Sequence, residues 1–473
     1  MKKIAGQIYH EYKGCILPRL GRLNPKTKPH FALMMWPNGK PCSLVNLWLM
    51  DLAYRTTGKT VKQYCVNLTP YVKYCYLKGI DLVEFCDDDM ATLVFDLTEE
   101  LTPKGLRKRQ NNQVNLIIDA ILQFLSWVQQ VGGTTDHPHL VGEKNTCPNL
   151  TVKKVQTAYG VSYRHESHVD PNTPLHPKSA MPRSTISVLE DQILIESESR
   201  FEFDVDESNY DIKKSESIKR YLFERRTFTV WIMKKTGLRP EELALMPVEA
   251  NKNVLQNDTI YLPTKKRRTD AISLRPFKIT ADGALFVNCY LNARSEFLEF
   301  LGEAGVVSIG NDTVLLTERG QQLSAASLTR EFSRLSKRAG LSDVRACFSM
   351  FRHRFITMEV LVHLKEVLAT ERPTIDMLTP VVVRSIEERI RKKTGHKLGK
   401  SIWAYFDAAF DVLKFWSSVD EALGKFDVVD DMENSLNRMR YEVSRRKHSD
   451  SGLLEEIAQL KQKVESLRAR LGG

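Results

Sequence analysis

The stretch IKRYLFERRTFTVWIMKKTGLRPEEL, residues 218–243, decides how the larger part of this chain is interpreted. Its first part predicts a helix that ends at Gly237, because glycine readily takes the left-handed conformation in which many helices end. Arg239 follows this helix end, and Glu242 lies three residues further on. Taken alone, Arg239 would be a cation that interacts with the carbonyl groups at the end of a helix.

A β-hairpin with a basic turn is expected next along the chain. TIYLP, residues 259–263, and AISLRPF, residues 271–277, are typical of short strands that flank a turn. The turn between them, TKKRRTD, carries the cations Lys265, Lys266, Arg267 and Arg268. Such a turn is ordinarily a solvated hairpin tip, but it could also contact a polyanion.

Two later segments add further functional side chains. SMFRHRFIT, residues 349–357, places Arg352 beside His353. TGHKLGKSIWAYF, residues 394–406, holds His396 and, nine residues later, Tyr405. Each residue alone has an ordinary interpretation, His396 as a loop histidine and Tyr405 as a core residue with its hydroxyl at the surface.

The order of these residues suits phosphodiester exchange without a metal. That reaction needs a nucleophile, cations for the charge that grows on the non-bridging oxygens, and a proton for the leaving oxygen. Arginine suits the second task because its fork donates paired hydrogen bonds and keeps its charge, and lysine suits the third because neighbouring cations can lower its pKa. Tyrosine suits the first, since an aryl phosphate ester leaves more readily than an alkyl ester.

Together, TGLRPEEL, SMFRHRFIT and the GH pair followed by a tyrosine nine residues on resemble the signature boxes of the tyrosine recombinase, or phage integrase, family. The segment LLTERGQQLSAASLTREFSRLSKRAGL, residues 315–341, is similar to that family's approach to its second arginine. The resemblance covers most of residues 45–410. One box would be a weak signal, but three in order are a specific one.

The resemblance implies a role for each matching residue. Arg239 and Arg352 would bind the scissile phosphate, His396 would hydrogen-bond a non-bridging oxygen, and Tyr405 would form a 3′-phosphotyrosyl bond. Lys265 or Lys266 would protonate the 5′ oxygen, and counting back from the second strand favours Lys266. Glu242 would be a structural acid that supports the first arginine. No nucleotide, metal or redox cofactor is implied.

The chain departs from the family pattern in two places. Three residues before its second arginine the family usually carries a histidine, and here that position is Ser349. The assignment of the catalytic base is therefore open between His353, His396 and a hydroxyl that only holds phosphate. The stretch between Arg352 and His396 is also long and has the character of an insertion.

The expected fold class is mostly α with a small antiparallel β component: a helical core-type DNA-binding domain followed by a mixed α/β catalytic domain. The predicted segments are an N-terminal extension at 1–44, a helical domain at 45–133, a polar, proline-rich and acidic linker or insertion at 134–216, the catalytic domain at 217–420 and a helical tail at 421–473. The acidic run in the linker is expected to be a solvated face or, less usually, a strap over the DNA surface.

Composition favours nucleic acid as the partner. The chain has 473 residues, a formal net charge of +11 and an isoelectric point near 9.1, and such an excess attracts polyanions. Its eight cysteines lack the spacing of metal sites, so a reducing compartment is expected. A basic cluster between two predicted helices is either a solvated surface or a phosphate contact: Lys104, Arg107, Lys108 and Arg109. No signal peptide and no apolar run long enough for a bilayer is recognised, so we expect a cytoplasmic bacterial protein, nucleoid-associated when bound to DNA.

The sequence thus predicts a site-specific recombinase that acts on double-stranded DNA, as a dimer on one site and a tetramer in synapsis. The extra segments favour an integrase or transposase of a mobile element. A telomere resolvase, an enzyme similar to type IB topoisomerases and a catalytically idle accessory DNA-binding protein are the alternatives. A heptad pattern in the tail could mediate self-association or pack onto its own domain: Leu453, Ile457, Leu460, Val464, Leu467 and Leu471.

Overall fold

The structure is a computed structural model, and the residues that it describes are 6–17, 26–56, 60–132, 139–157, 160–171, 179–198, 209–265, 272–303, 312–369, 373–395, 403–415 and 462. These residues are mostly helical, with a few small and mainly antiparallel sheets, which is the predicted fold class. The chain forms two compact units, Met1–Leu175 and, apart from residues 266–270, the remainder from His176 onwards.

The first unit is built on four helices, which lie in the segment for which the sequence predicts a helical domain. They are α1 (Ser43–Arg55), α2 (Thr60–Lys78), α3 (Asp87–Glu99) and α4 (Asn111–Gly132). Three aspartates lie in the first turn of α3, where negative charge interacts favourably with the helix dipole. By length and hydropathy α4 could cross a bilayer, contrary to the sequence-based expectation, but half of its most apolar window is buried inside the protein.

Two small sheets complete this unit. Strands β1 (Tyr9–Leu17) and β2 (Lys26–Met34) form an antiparallel pair in which Tyr9 lies opposite Met34, and β2 packs against α1 and α2. Asn46 of α1 fixes that packing, because its side chain accepts from the backbone of Met34 over 2.7 Å and donates back over 2.9 Å. The segment at 1–44, predicted as an extension, therefore contributes to the core of the helical unit.

The second small sheet comes from the segment that was predicted as a linker. It consists of β3 (Val141–Gly142), β4 (Leu150–Thr157) and β5 (Gly160–His165), and only the short β3–β4 pair is parallel. His165, fully buried, contacts Asp87 at the start of α3 over 2.9 Å, and His168 contacts Asp119 of α4 over 3.1 Å. These polar contacts and buried residues such as Leu150 and Val152 join the sheet to the helices.

The second unit begins within the same predicted linker and contains nine helices among its described residues. They are α5 (Arg183–Glu198), α6 (Asn209–Thr236), α7 (Pro240–Leu243), α8 (Val254–Asn257), α9 (Ala281–Glu303), α10 (Ala325–Arg338), α11 (Phe348–Leu368), α12 (Pro380–Thr394) and α13 (Trp403–Phe415). The predicted hairpin is present as β6 (Thr259–Lys265) and β7 (Ile272–Lys278), paired antiparallel.

Aromatic stacking organises the core of the second unit. Tyr221 of α6 stacks on Phe297 of α9 at 4.3 Å, and Phe228 stacks on Tyr290 at 4.2 Å. A second apolar cluster joins α11, α12 and α13 through residues such as Ile356, Ile386 and Phe406. These packed helices position Arg352 on α11 and Tyr405 on α13.

Two carboxylates in the described part of the acidic run are paired within the second unit. Glu196 at the end of α5 lies 2.7 Å from Arg226 and 2.6 Å from Arg338, and Glu190 lies 3.4 Å from Lys234. Glu190 and Glu196 therefore join α5 to α6 and α10, and for these two residues the pairing differs from both a solvated face and a strap over DNA. Residues 199–208 and the heptad segment at 453–471, apart from residue 462, lie outside the described residues.

Candidate active site

Gly237 connects the segment TGLRPEEL to the segment SMFRHRFIT through contacts with Arg352 and Phe355. It ends α6 with φ +57°, a backbone conformation that residues with a Cβ rarely adopt, and a Cβ at this position would lie 2.8 Å from the ring of Phe355 on α11. Its carbonyl oxygen accepts a hydrogen bond of 2.6 Å from Nη1 of Arg352. A glycine here thus permits both the helix end and the close approach of α11 that brings Arg352 to it.

Arg239 and Glu242 form a local unit at the start of α7. The backbone N–H of Arg239 donates to Oε2 of Glu242 over 3.2 Å, and its Nη1 donates to Oε1 over 3.0 Å. Glu242 is fully buried, whereas the side chain of Arg239 is 35% exposed. The carboxylate therefore holds the guanidinium in place while leaving part of it accessible to a ligand.

Arg275 on β7 is a site residue that the sequence analysis did not identify. Its Nη1 donates to Pro263 O over 2.9 Å and to Thr264 Oγ1 over 2.6 Å, and its Nε donates to Lys393 O over 3.0 Å. Its Nη2 lies 4.0 Å from Oε2 of Glu242. Arg275 therefore connects the hairpin, the end of α12 and the acid that holds Arg239.

The alternation of apolar residues along β7 predicts that Arg275 faces the solvent. An apolar alternation predicts that Ile272 and Leu274 face the core, yet they are 47% and 44% exposed while Arg275 is 9% exposed. An arginine whose side chain points inwards from a short strand would indicate a functional role for Arg275. That orientation is known only once the register of the strand is known.

Arg352 is a buried arginine with unused donors. Its exposed fraction is 7%, and its Nε and Nη2 have no hydrogen-bond partner among the residues that the structure describes. Burial lowers the pKa of Arg352 to about 10, and the charge of Arg239 adds to this lowering while Glu242 and Tyr405 oppose it. Arg352 is still a cation at neutral pH, so two of its nitrogens can bind an anionic ligand.

Tyr405 lies near Arg352 with its hydroxyl held by His353. Its oxygen is 2.7 Å from Nδ1 of His353, and its exposed fraction is 6%. Burial raises the pKa of the Tyr405 phenol, while the charge of Arg352 partly offsets the increase. Phe406, Ala409 and Phe410 of α13 pack into the apolar cluster with α11, and this packing fixes the position of the tyrosine.

The structure therefore brings together five of the predicted residues, which are Arg239, Glu242, Arg352, His353 and Tyr405. Ser349 is not among these contacts, since it is exposed at the start of α11 and its hydroxyl lies 3.1 Å from the sulfur of Cys347.

Of the predicted lysines and histidines of the site, only Lys265 and His353 lie among the described residues. Lys265 is exposed and its Nζ lies 3.1 Å from Oε2 of Glu241, whereas Lys266, Arg267, Arg268 and His396 lie outside the described residues. Gly395 ends α12 with φ +65°, and a Cβ there would lie 2.8 Å from Cγ2 of Thr264. The residue before His396 thus lies against the hairpin strand that leads to the lysines.

The basic cluster of the first unit is largely paired. Lys108 lies 2.9 Å from Glu100, Arg109 also forms an ion pair with Glu100, and Arg107 lies 3.8 Å from Glu99. Lys104 has no ion-pair partner in the part of the chain that the structure describes. The cluster carries less free positive charge than its sequence predicts.

A second basic surface lies in the second unit, and four of its six arginines come from the segment 315–341. A groove of about 540 Å³ is lined by six arginines from α6, α10 and the loop before α10: Arg225, Arg226, Arg319, Arg330, Arg334 and Arg338. Glu331 pairs with Arg225 over 2.6 Å and with Arg226 over 3.0 Å. Arg319, Arg330 and Arg334 are exposed and can contact an anionic partner.

No protein-family model and no curated protein sequence matches the chain. Among solved structures, it is similar to the XerH site-specific recombinase bound to its difH substrate in a pre-cleavage complex, with 15% identity, a TM-score of 0.39, and coverage of 73% of this chain and 76% of that one. XerA recombinase aligns with 13% identity and a TM-score of 0.26 over 74% of this chain and 98% of that one. The integrase of mycobacterium phage Brujita aligns with 14% identity and a TM-score of 0.21 over 77% of this chain and 97% of that one. Likenesses of this size establish no activity, so the function is inferred from the side chains of the site.

Proposed function

We propose that the chain is a site-specific DNA recombinase that cleaves and rejoins strands through a phosphotyrosyl bond at Tyr405. The observation that carries this proposal is the buried guanidinium of Arg352, in which Nε and Nη2 have no hydrogen-bond partner among the described residues and which lies beside Arg239 and Tyr405. Burying two donors of a cation without hydrogen-bond partners costs free energy, and an anionic ligand would compensate for it. A phosphodiester provides that anion, and Tyr405 provides the nucleophile.

Arg239 and Arg352 would hold the two non-bridging oxygens of the scissile phosphate. As Tyr405 attacks, charge grows on these oxygens, and the two guanidinium groups stabilise it without reorganisation because Glu242 and Gly237 already fix them. Arg275 supports this arrangement through its contacts with the hairpin and α12. We assign it a positioning role.

Strand cleavage forms the bond between Tyr405 Oη and phosphorus and breaks the bond between phosphorus and the 5′ oxygen. The leaving oxygen takes a proton from a lysine of the hairpin turn, Lys266 by the sequence count or Lys265, and His396 donates to a non-bridging oxygen. Religation reverses these steps with the 5′ hydroxyl of a partner strand. The bond energy is kept in the phosphotyrosyl ester, so the exchange needs no nucleotide.

The wider surface would bind the DNA backbone. The exposed arginines of the groove in the second unit and Lys104 in the first offer sequence-independent contacts to phosphates. We further propose that protomers bind as dimers on one site and as tetramers in synapsis, and that the protein serves the integration, excision or transposition of a mobile element in the bacterial cytoplasm.

Covalent trapping on a nicked suicide substrate tests this function. The wild-type chain should form an adduct with the cleaved strand that survives denaturation, and Tyr405→Phe should form none. The substrate is selected from random duplexes by binding, and a supercoiled plasmid without that site serves as a control that a topoisomerase would relax. Absence of an adduct from both proteins on a tightly bound duplex would instead favour an idle accessory protein, the alternative that Ser349 permits.

A further inference from the structure

We infer that His353 takes the phenolic proton of Tyr405 during strand cleavage. This assignment rests on the proposed function, because it concerns the same reaction. It also answers the question raised by Ser349, which stands where a recombinase of this type usually has a histidine.

The contact itself is the first support. Nδ1 of His353 lies 2.7 Å from the hydroxyl oxygen of Tyr405, within the range over which a proton is transferred along a hydrogen bond. The neutral imidazole that carries its hydrogen on Nε2 has a lone pair on Nδ1 and accepts from the phenol. The rings, with centroids 5.6 Å apart, are inclined by 36°.

The need for an acceptor is the second support. Tyr405 is buried, and a buried phenol keeps its proton at neutral pH. Its oxygen becomes a competent nucleophile only as the proton leaves. Arg352 cannot accept that proton, since it is itself protonated, and the hydroxyl of Ser349 lies with Cys347 instead.

The fold also holds the acceptor rigidly. Arg352 and His353 are consecutive residues of α11, so the group that binds phosphate and the group that receives the proton belong to one packed helix. Arg352 reaches towards Gly237, whereas His353 faces Tyr405 on α13. Because α13 packs on α11 through Phe406 and Ala409, the separation between His353 and Tyr405 is set by the core.

Each proton that is released in cleavage or in religation is taken up by a named group. In cleavage, the phenolic proton moves to Nδ1 of His353, the Oη–phosphorus bond forms and the leaving 5′ oxygen receives a proton from the hairpin lysine. In religation, the attacking 5′ hydroxyl returns its proton to that lysine, and the imidazolium of His353 protonates the departing phenolate. No oxidant, metal or further reactant enters.

The test compares variants of the full-length chain on suicide substrates with either an oxygen or a sulfur as the 5′ bridging atom. A thiolate leaves without a proton, so sulfur corrects a defect in leaving-group protonation but not in activation of Tyr405. We expect His353→Gly to lower the cleavage rate by about 10²–10³-fold with both substrates. Added imidazole should restore at least about tenfold of that loss. Lys266→Ala should be corrected by the sulfur substrate alone.

Each outcome decides a different point. If the wild-type chain forms no adduct, the proposed function fails and this assignment fails with it. If it forms one and His353→Gly cleaves at the same rate, His353 is not the acceptor although the function stands. A slow His353→Gly that imidazole does not restore, and whose melting temperature falls, shows a structural role and overturns the inference. A loss confined to Ser349→Ala would assign the role to that hydroxyl.

Discussion

Nη1 of Arg352 donates a 2.6 Å hydrogen bond to the carbonyl oxygen of Gly237, 115 residues earlier in the chain. The donor belongs to the segment SMFRHRFIT, and the acceptor lies two residues before Arg239 in the segment TGLRPEEL. The contact uses one nitrogen of the guanidinium and leaves Nε and Nη2 without a partner among the described residues. The spacing between the two arginines is therefore set by a backbone atom at a helix end.

Gly237→Ala should destabilise the second unit and abolish cleavage. The left-handed backbone costs a residue with a Cβ about 1–2 kcal/mol, and the new Cβ would also overlap Phe355. Gly340→Ala is the matched control, because Gly340 has φ +73° but nothing within 4 Å of a Cβ. Thermal unfolding and adduct formation should separate the two variants. Equal effects on both would mean that contact with Phe355 contributes nothing.

Arg352→Lys should reduce the cleavage rate by about 10²–10³-fold with little loss of DNA affinity, because lysine is charged but cannot donate a parallel pair of hydrogen bonds. Arg354→Lys is the control, since Arg354 is an equally buried arginine on the same helix whose Nη1 contacts Met181 O at 3.4 Å. Its cleavage rate should remain within a few-fold of wild type. Single-turnover cleavage and fluorescence anisotropy provide the two measurements.

Arg275→Leu should lower cleavage through Arg239. The change leaves the carbonyl oxygens of Pro263 and Lys393 without this donor, and we expect a loss of about 1–3 kcal/mol of stability. The rate should fall by more than the folded fraction explains, because Glu242 loses a neighbouring cation. Ile272→Ala, on the exposed face of the same strand, should change neither. A rate that follows the folded fraction alone would remove Arg275 from the site.

Glu100 should make the first unit sensitive to acid. Burial of Glu100 opposes its ionisation, but hydrogen bonds from Lys108 and Arg109 prevail and lower its pKa from the usual 4.5 to about 2. A carboxylate whose folded pKa is depressed stabilises the protein above its unfolded pKa, and that stabilisation is lost as the pH falls through the folded value. Glu100→Gln should cost about 1–3 kcal/mol at pH 6 and nearly nothing near pH 2.

Glu99→Gln is the control for that measurement, because the Glu99–Arg107 pair is 3.8 Å long and exposed. Its effect on the free energy of unfolding should stay within about 0.5 kcal/mol at every pH. Denaturant unfolding of the three proteins between pH 2 and pH 6 tests this. A pH-independent difference between wild type and Glu100→Gln would contradict the ion pairing.

The sequence by itself determined the helical character of the chain and the order of its functional boxes. Gly237 predicted the end of α6, and two strand-like stretches around a basic turn predicted the hairpin, because both features depend on local residue types. The residue types at Arg239, Arg352 and Tyr405 could be recognised because each has a chemistry that few other side chains supply.

Only the tertiary structure decided which side chains meet. Strands β1 and β2 join the core of the first unit through Asn46, a long-range contact that no local pattern encodes. Arg275 enters the site because the register of β7 turns it inwards, against the apolar alternation. Tyr405 lies against His353, rather than near Ser349, because α13 packs on α11 in a register set by buried rings. The distance between two residues far apart in sequence is set by the packing of the elements that hold them. Local sequence patterns do not determine that distance.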